Sequence, residues 1–475
     1  FFQHLRMGIS NCEKAGKKLP LLLQLTPSFT VSDAIESAGF HKFQLILWAI
    51  HSLSWLASAM EIMLLAVLSP SLQCEWQLSP VQPGLCSTFL FLGWMLSAPI
   101  WGRICDVRGR RQGLMIASFV GFAFGVLSAL APSFYLFLAA RFAFGFAIGG
   151  QAQSLTITAE FLPPTYRARW LTFGKSFWAV GAAVTVGLAN VVLQDLGWRW
   201  LVAISALPLA LLGVCCWWLP ESVRFDVARG KDIEARATLE RIAKFNGRSL
   251  PDGELISETE EPSRGMLDLL KPAHRRTSIQ LWIMWAMCAF LYYGLSVYTT
   301  LLLQSSDDSS HEEVAPCHML TTEKYLSIII TTMSEVPGCI ILAFVMDCIG
   351  RKPTLAVGFA IFSVCIAVMA FSLPSYIIIT ALFIGRSALG CAWQAAYIYS
   401  SEVYPTPLRA QGLGVSSSWG RVGAMITPIT TQMLATLNLS LPAIVFAVGG
   451  VLALVLSVML PIETSPKKTK KITEH

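Results

Sequence analysis

Glu61, Arg141, Lys175, Glu335 and Arg421 all fall inside long apolar runs of this sequence. A charge near the middle of a lipid-spanning helix costs about 2.5–3.5 kcal/mol on insertion scales, so each is expected to face a cavity or a partner. If Glu61 and Arg141 approach, the proton affinity of the carboxylate follows the position of the guanidinium, which is a device for ion coupling. A permanent structural ion pair is the competing reading. Arg421 can grip a carboxylate or phosphate with two parallel hydrogen bonds. It therefore favours an anionic or zwitterionic substrate, unless it is instead paired with Glu335 or another internal acid. Glu335 precedes Pro337, and a proline-interrupted helix frees backbone groups that tolerate polar company. Lys175 either reaches the same cavity or lies near a helix end. Tyr292, Tyr293 and Tyr298 in one run, and Trp393, Tyr397 and Tyr399 in another, suit an organic substrate that needs both stacking and hydrogen bonds. Packing against lipid is the alternative for each ring. The expected substrate set is Arg421, Glu61, Glu335, Tyr292, Tyr293, Trp393 and Tyr397, with Glu61 and Arg141 as the coupling pair.

The elements that must hold these residues are membrane helices. The 475-residue chain is 54% hydrophobic and 13% charged, against about 25% charged in soluble proteins. Its apolar residues form twelve runs, each near the roughly 20 residues that cross a bilayer as a helix. They cover 44–70, 82–102, 113–131, 134–158, 169–193, 200–219, 277–302, 325–346, 353–373, 376–399, 411–434 and 441–460. Arg103, Arg108, Arg110 and Arg111 follow the second run, Arg167 and Arg169 the fourth, Arg351 and Lys352 the eighth, and Arg409 the tenth. Lys467, Lys468, Lys470 and Lys471 follow the last. Cytoplasmic loops carry the positive excess, so both termini are expected in the cytoplasm, and the net charge of +6 is an orientation signal. Nucleic acid is not an expected partner, because no recognition module accompanies the charge.

The expected organisation is an N-terminal segment (1–42), a six-helix bundle (43–219), a cytoplasmic loop with surface helices (220–276), a second bundle (277–460) and a basic tail (461–475). In the loop, Ile233, Ala237, Leu239 and Ile242 have helical spacing. The first run is too long for the core of a secretory signal, and no cleaved signal is expected. Phe1 is not a start methionine, so the chain is expected to lack its first residues. Most of the twelve cysteines lie in apolar runs, where a thiol behaves as a small hydrophobe. Cys74 and Cys317 fall in non-cytoplasmic loops, where a disulfide between them is one option.

The two bundles are related. Asp106, Gly109, Arg110 and Arg111 answer to Asp347, Gly350, Arg351 and Lys352, an offset of 241 (347 − 106). Arg141 answers to Arg386. Glu160-x-x-Pro163-x-x-x-Arg167 answers to Glu402-x-x-Pro405-x-x-x-Arg409, and Pro220-Glu221-Ser222 to Pro461-Ile462-Glu463-Thr464. Four matches in one order signify duplication, and a six-plus-six parallel repeat puts the substrate site near the midplane between the halves. Asp106, Arg110, Arg111, Glu160 and Arg167 in one half, and Asp347, Arg351, Lys352, Glu402 and Arg409 in the other, are expected to form a gate at the cytoplasmic face. Half-exposed pairs are worth about 0–1 kcal/mol each, so such a gate could break in every cycle. A role in fixing topology alone is the competing reading.

Together these motifs resemble the major facilitator superfamily. Pro220–Phe225 looks like a signature shared by sugar porters and organic-ion transporters. The stretches Phe29–Phe40, Ala59–Leu65 and Ser334–Gly338 resemble the synaptic vesicle 2-related proteins. The resemblance implies an all-α polytopic membrane protein with twelve transmembrane helices as two six-helix bundles in parallel repeat. It implies transport by alternating access, secondary active or facilitative, in a vesicle or plasma membrane. In resembling proton-coupled sugar porters an acid and an arginine occupy the helices of Glu61 and Arg141. In resembling organic-ion transporters the position of Arg421 is acidic in cation carriers and basic in anion carriers. The short first outer loop departs from the organic-ion carriers, and the roughly twenty residues 303–322 depart from the large luminal domain of the vesicle glycoproteins. The alternative function is a vesicle-membrane protein that binds a ligand, such as an adenine nucleotide, without moving it.

Other chemistry finds no support in the spacing. Gly174-Lys175-Ser176 is not a phosphate loop, because Arg169 stands where a glycine is required. No zinc ligand set or hydrolase triad is spaced for catalysis, and His51, His311 and His318 are isolated in sequence. The expectation is no enzyme, no metal and no cofactor, a monomer in the lipid bilayer, and a small organic ion as cargo with possible proton coupling.

Overall fold

The computed structural model describes residues 27–256, 266–305, 320–371 and 373–464; the side chains of Ala168, Ser305, Ala343, Phe344, Asp347, Thr406 and Ala410 lie outside the description. Eleven helices among the described residues are long and apolar enough to cross a membrane. They are Lys42–Trp76, Gln82–Arg108, Arg110–Ala129, Phe134–Phe161, Pro164–Asp195 and Trp198–Cys215 in the first half. Pro272–Gln304, Thr322–Leu342, Arg351–Val368, Ser375–Val403 and Leu441–Met459 follow in the second. The eleventh expected run is also one helix, Thr406–Leu437. It falls short of that apolarity because Arg409, Arg421 and the serines Ser416 to Ser418 interrupt it. With this helix included, all twelve expected runs are helical, and they are called the first to twelfth spans below.

The contacts carry the repeat. In the first half the first span packs on the fifth, the second on the fourth, and the third on the fourth and sixth; in the second half the seventh packs on the eleventh, the eighth on the tenth, and the ninth on the tenth and twelfth. Each pair maps onto its counterpart by adding six. The halves meet where the second span packs on the eleventh and the fifth on the eighth, two contacts that the same operation exchanges. Glycine makes the tightest of these approaches possible. A Cβ on Gly181 would lie 2.3 Å from the carbonyl oxygen of Leu56, and one on Gly423 would lie 2.0 Å from that of Ala286. Close backbone approach at small residues is the usual membrane solution, since lipid supplies no hydrophobic drive between helices.

Three spans are interrupted where they matter. The fourth tightens into a 3-10 turn at Gly149–Gln151. The fifth breaks between Pro164–Lys175 and Phe177–Asp195, and the eighth between Thr322–Met333 and Glu335–Ile349. At the eighth, Pro337 supplies no N–H to the helix ladder, and the Ser334 hydroxyl donates back to the Thr331 carbonyl at 2.7 Å.

At the end bearing the arginine motifs, a small cap covers the first half. It consists of helices Val31–Ala38, Val223–Ala228 and Asp232–Phe245. A parallel pairing of Ser28–Phe29 with Glu254–Leu255 ties them together. Phe29, Ile35, Leu239 and Ile242 join Leu47, Ile157 and Phe161 in one buried cluster. Ile233, expected on the buried face of its helix, is 85% exposed. Ala235, Leu239, Ile242 and Ala243 form that face instead. Cys74 is disulfide-bonded; Cys317, one option for its partner, lies outside the described residues, as do His311 and His318.

Candidate functional site: a cavity between the halves

A cavity opens at mid-depth between the two bundles. Its wall includes Trp55, Trp94, Lys175, Glu335, Trp393 and Arg421, with Tyr292, Tyr293 and Tyr397 completing the aromatic lining. Depth follows from helix geometry: Arg421 lies fifteen residues into the 32-residue eleventh span, about 22 Å along its axis at 1.5 Å per residue. Lys175 and Glu335 stand at the breaks of the fifth and eighth spans, where discontinuous helices commonly line transporter sites.

Each charge has defined company. One guanidinium nitrogen of Arg421 donates to the Ser417 hydroxyl at 2.7 Å, and its plane lies 4.5 Å from the centre of the Trp94 ring. Its Nε, also buried, has no hydrogen-bond partner among the described residues. Among the described residues no carboxylate pairs with it. Glu335 does not reach it, because Arg386 already holds that carboxylate at 2.9 Å and the Tyr292 hydroxyl lies 2.8 and 2.9 Å from its two oxygens. Lys175 donates to the side-chain carbonyl of Gln394 across the interface at 2.9 Å. Its ammonium sits 3.5 Å above the Tyr397 ring. Trp393 packs beside Tyr292, Tyr293 and Tyr397.

Glu61 and Arg141 do meet, at 2.8 Å, but both are wholly buried within the first half. Neither lines the cavity, so the structure parts Glu61 from the other expected substrate ligands. Arg141 also donates to Ser128 at 3.0 Å, and it is flanked by the rings of Phe137 and Phe144. One oxygen of Glu61 and one nitrogen of Arg141 have no hydrogen-bond partner among the described residues. His51, isolated in sequence, is not isolated in space: it accepts from the Trp55 indole at 3.0 Å and lies 3.4 Å from the Ser154 hydroxyl. Tyr298 and Tyr399 are buried in the core of the second half rather than in the cavity wall.

The motif residues at the basic end assemble twice, on one plan. Arg110 pairs with Glu160, and Ser222 donates to the same carboxylate. Arg351 grips Glu402 with two 3.0 Å bonds, and Thr464 donates to it at 2.6 Å. Arg111 closes its corner on the Cys216 and Trp217 carbonyls, and Lys352 on that of Leu460. Glu221 and Glu463, which were not singled out individually from the sequence, receive the helix N-termini that follow Gly109 and Gly350. Those glycines have φ of 101° and 99°, a region costly for any side chain. Asp106 is exposed and makes no ion pair among the described residues, and the side chain of Asp347 lies outside the description. Arg167 donates to the Leu162 carbonyl instead of an acid, and Arg409 is exposed. The pairs Arg110–Glu160 and Arg351–Glu402 thus lie one in each half.

At the opposite end the halves are clasped. Gln432 of the eleventh span accepts from the Gly84 N–H at 2.8 Å and donates to Ser69 at 3.2 Å. The Thr88 hydroxyl donates to the Met425 carbonyl at 2.8 Å.

Two bundles related by repeat and, at their junction, a cavity lined by charged and aromatic side chains define a multi-pass membrane transporter of the major facilitator kind. The family described as "Sugar (and other) transporter" matches residues 51–475, and the chain belongs to it. The synaptic vesicle 2-related protein of Rattus norvegicus is 42% identical over 92% of this chain and 81% of its own length. Organic cation/carnitine transporter 7 of Arabidopsis thaliana is 33% identical over 92% of this chain and 95% of its own. The xylose transporter XylE from E. coli, in a partially occluded inward open conformation, superposes with a TM-score of 0.70 over 89% of this chain and 98% of XylE, at 17% identity.

Proposed function

We propose that the protein carries a small organic anion or zwitterion across a vesicle or plasma membrane by alternating access. The observation that carries this reading is Arg421, a cavity cation with one nitrogen unpartnered and no described carboxylate to neutralise it. A buried guanidinium in that state is costly, and an entering carboxylate or phosphate relieves the cost. A cationic cargo is less well served. Its natural ligand, Glu335, is already neutralised by Arg386. A zwitterion offers Arg421 the same anionic group, and one relative is named an organic cation/carnitine transporter. Coupling to protons is assigned to the Glu61–Arg141 pair, whose burial makes the protonation state of one member depend on the distance to the other.

The test is uptake of a panel of organic anions, zwitterions and cations by the purified protein in proteoliposomes, with and without a pH gradient. Anion or zwitterion uptake that falls at least tenfold in Arg421→Asp supports the reading. Equal loss for cations and anions in that variant assigns Arg421 a structural role. A ligand that binds measurably but is never carried favours a ligand-binding protein without flux, for which adenine nucleotides are the first ligands to test.

A further inference from the structure

Lys175 adds a second basic side chain to the cavity that holds Arg421. The lysine has no carboxylate partner among the described residues; it meets the neutral Gln394 and the faces of Tyr397 and Trp55. Arg421 is likewise held by a hydroxyl and a ring. One side chain lies by both: the Tyr397 ring lies under the Lys175 ammonium, and it lines the same wall as Ser417, which receives Arg421. The acid in the wall, Glu335, is matched by Arg386 and contributes no net charge. The lining therefore holds two basic side chains that no described carboxylate matches, both resting on aromatic faces, which hold a cation loosely while it lacks an anion.

We infer that the cargo is a planar organic dianion, one anionic group taken by Arg421 and the other by Lys175, with its flat body between the tryptophan and tyrosine rings. This rests on the anion reading above and narrows it. A monoanion would leave one cation buried without a counter-charge. A dianion satisfies both, and the guanidinium can take its group through two nitrogens while the ammonium acts as a point charge. The break in the fifth span at Ser176 places the lysine at this depth. Its side chain is one of the polar links between the halves, so the dianion would replace a direct contact between the bundles with a bridged one.

Terephthalate and its half-amide, 4-carbamoylbenzoate, have nearly the same shape and differ by one charge. Equilibrium binding of each to the purified full chain tests the inference. The expected result is at least tenfold tighter binding of terephthalate. That preference should collapse to about one in Lys175→Gln and survive in Lys175→Arg. Equal binding of the two compounds by the unaltered protein overturns the inference while leaving the anion reading intact. A preference that persists in Lys175→Gln also overturns it, as does the absence of terephthalate binding at millimolar concentration. Binding of benzyltrimethylammonium with rejection of both carboxylates removes the anion reading as well.

Discussion

Glu463 stands to Lys352 as Glu221 stands to Arg111: each carboxylate accepts the backbone N–H of the second residue after a left-handed glycine, at 3.1 and 2.9 Å. The acids are 242 positions apart (463 − 221). An acid at the start of a helix satisfies donors that have no partner within the helix and sits at the positive end of its dipole. Replacing either by glutamine is expected to cost about 0.5–2 kcal/mol. Thermal unfolding of the detergent-purified protein should show similar losses for Glu221→Gln and Glu463→Gln. Gly109→Ala should be worse than either, because a Cβ there would meet the Glu221 carboxylate at 2.3 Å, whereas one on Gly102 meets nothing within 4 Å.

Arg386 and Glu335 form a buried pair at 2.9 Å. Removing one member of such a pair strands the other, at about 3–5 kcal/mol. Arg386→Met should therefore destabilise the protein severely, and Glu335→Leu placed on top of it should recover much of the loss. A double-mutant cycle in thermal stability reads the coupling.

Glu61 and Glu335 separate the two candidate proton sites. Glu61→Gln should abolish the effect of a pH gradient on uptake, while Glu335→Gln retains it. The reverse pattern would move the coupling site from the sealed pair to the cavity wall.

Gln432 ties the halves together at the end away from the arginine motifs. Gln432→Leu removes both bonds and should loosen that end. In a variant whose sole cysteine is Cys339, a cavity residue, a membrane-impermeant alkylating reagent added on the Gln432 side should react at least several-fold faster than without the substitution.

Thr30 and Asp33 cap helix Val31–Ala38 reciprocally, and the backbone N–H of Thr30, with its hydroxyl, holds the Asp33 carboxyl below its ordinary value. The stabilisation is present above the unfolded-state value of about 3.9 and is lost as pH falls through the lower folded-state value. Hydrogen exchange along Val31–Ala38 should rise with acidification in the native protein and be fast already at neutral pH in Asp33→Ala.

The architecture was legible because two signals are long-range and redundant. Apolar runs must match the bilayer, and a duplicated sequence repeats its corners at a fixed offset, which is why Arg110–Glu160 and Arg351–Glu402 could be placed in register. The partners inside the membrane were not legible. A span is apolar on nearly every side, so periodicity does not reveal which face meets lipid. Glu335 could thus be set near a proline break but not assigned to Arg386, and Glu61 was grouped with a cavity from which its helix rotation excludes it. Lys175 shows the same limit: one residue more or less along the fifth span would turn it away from Gln394. Asp106 heads a repeated motif yet takes no ion pair among the described residues, because the glutamates of neighbouring segments reach the arginines first.

The ion pairs Arg110–Glu160 and Arg351–Glu402 at the basic end each lie within a single bundle. Under the alternating access proposed above, the swing between access states can leave these pairs untouched, as rivets in two moving plates. The activation barrier for the swing would then contain no charge separation from these pairs. Raising ionic strength should lower the temperature at which the protein unfolds while leaving its turnover number for a saturating substrate nearly constant.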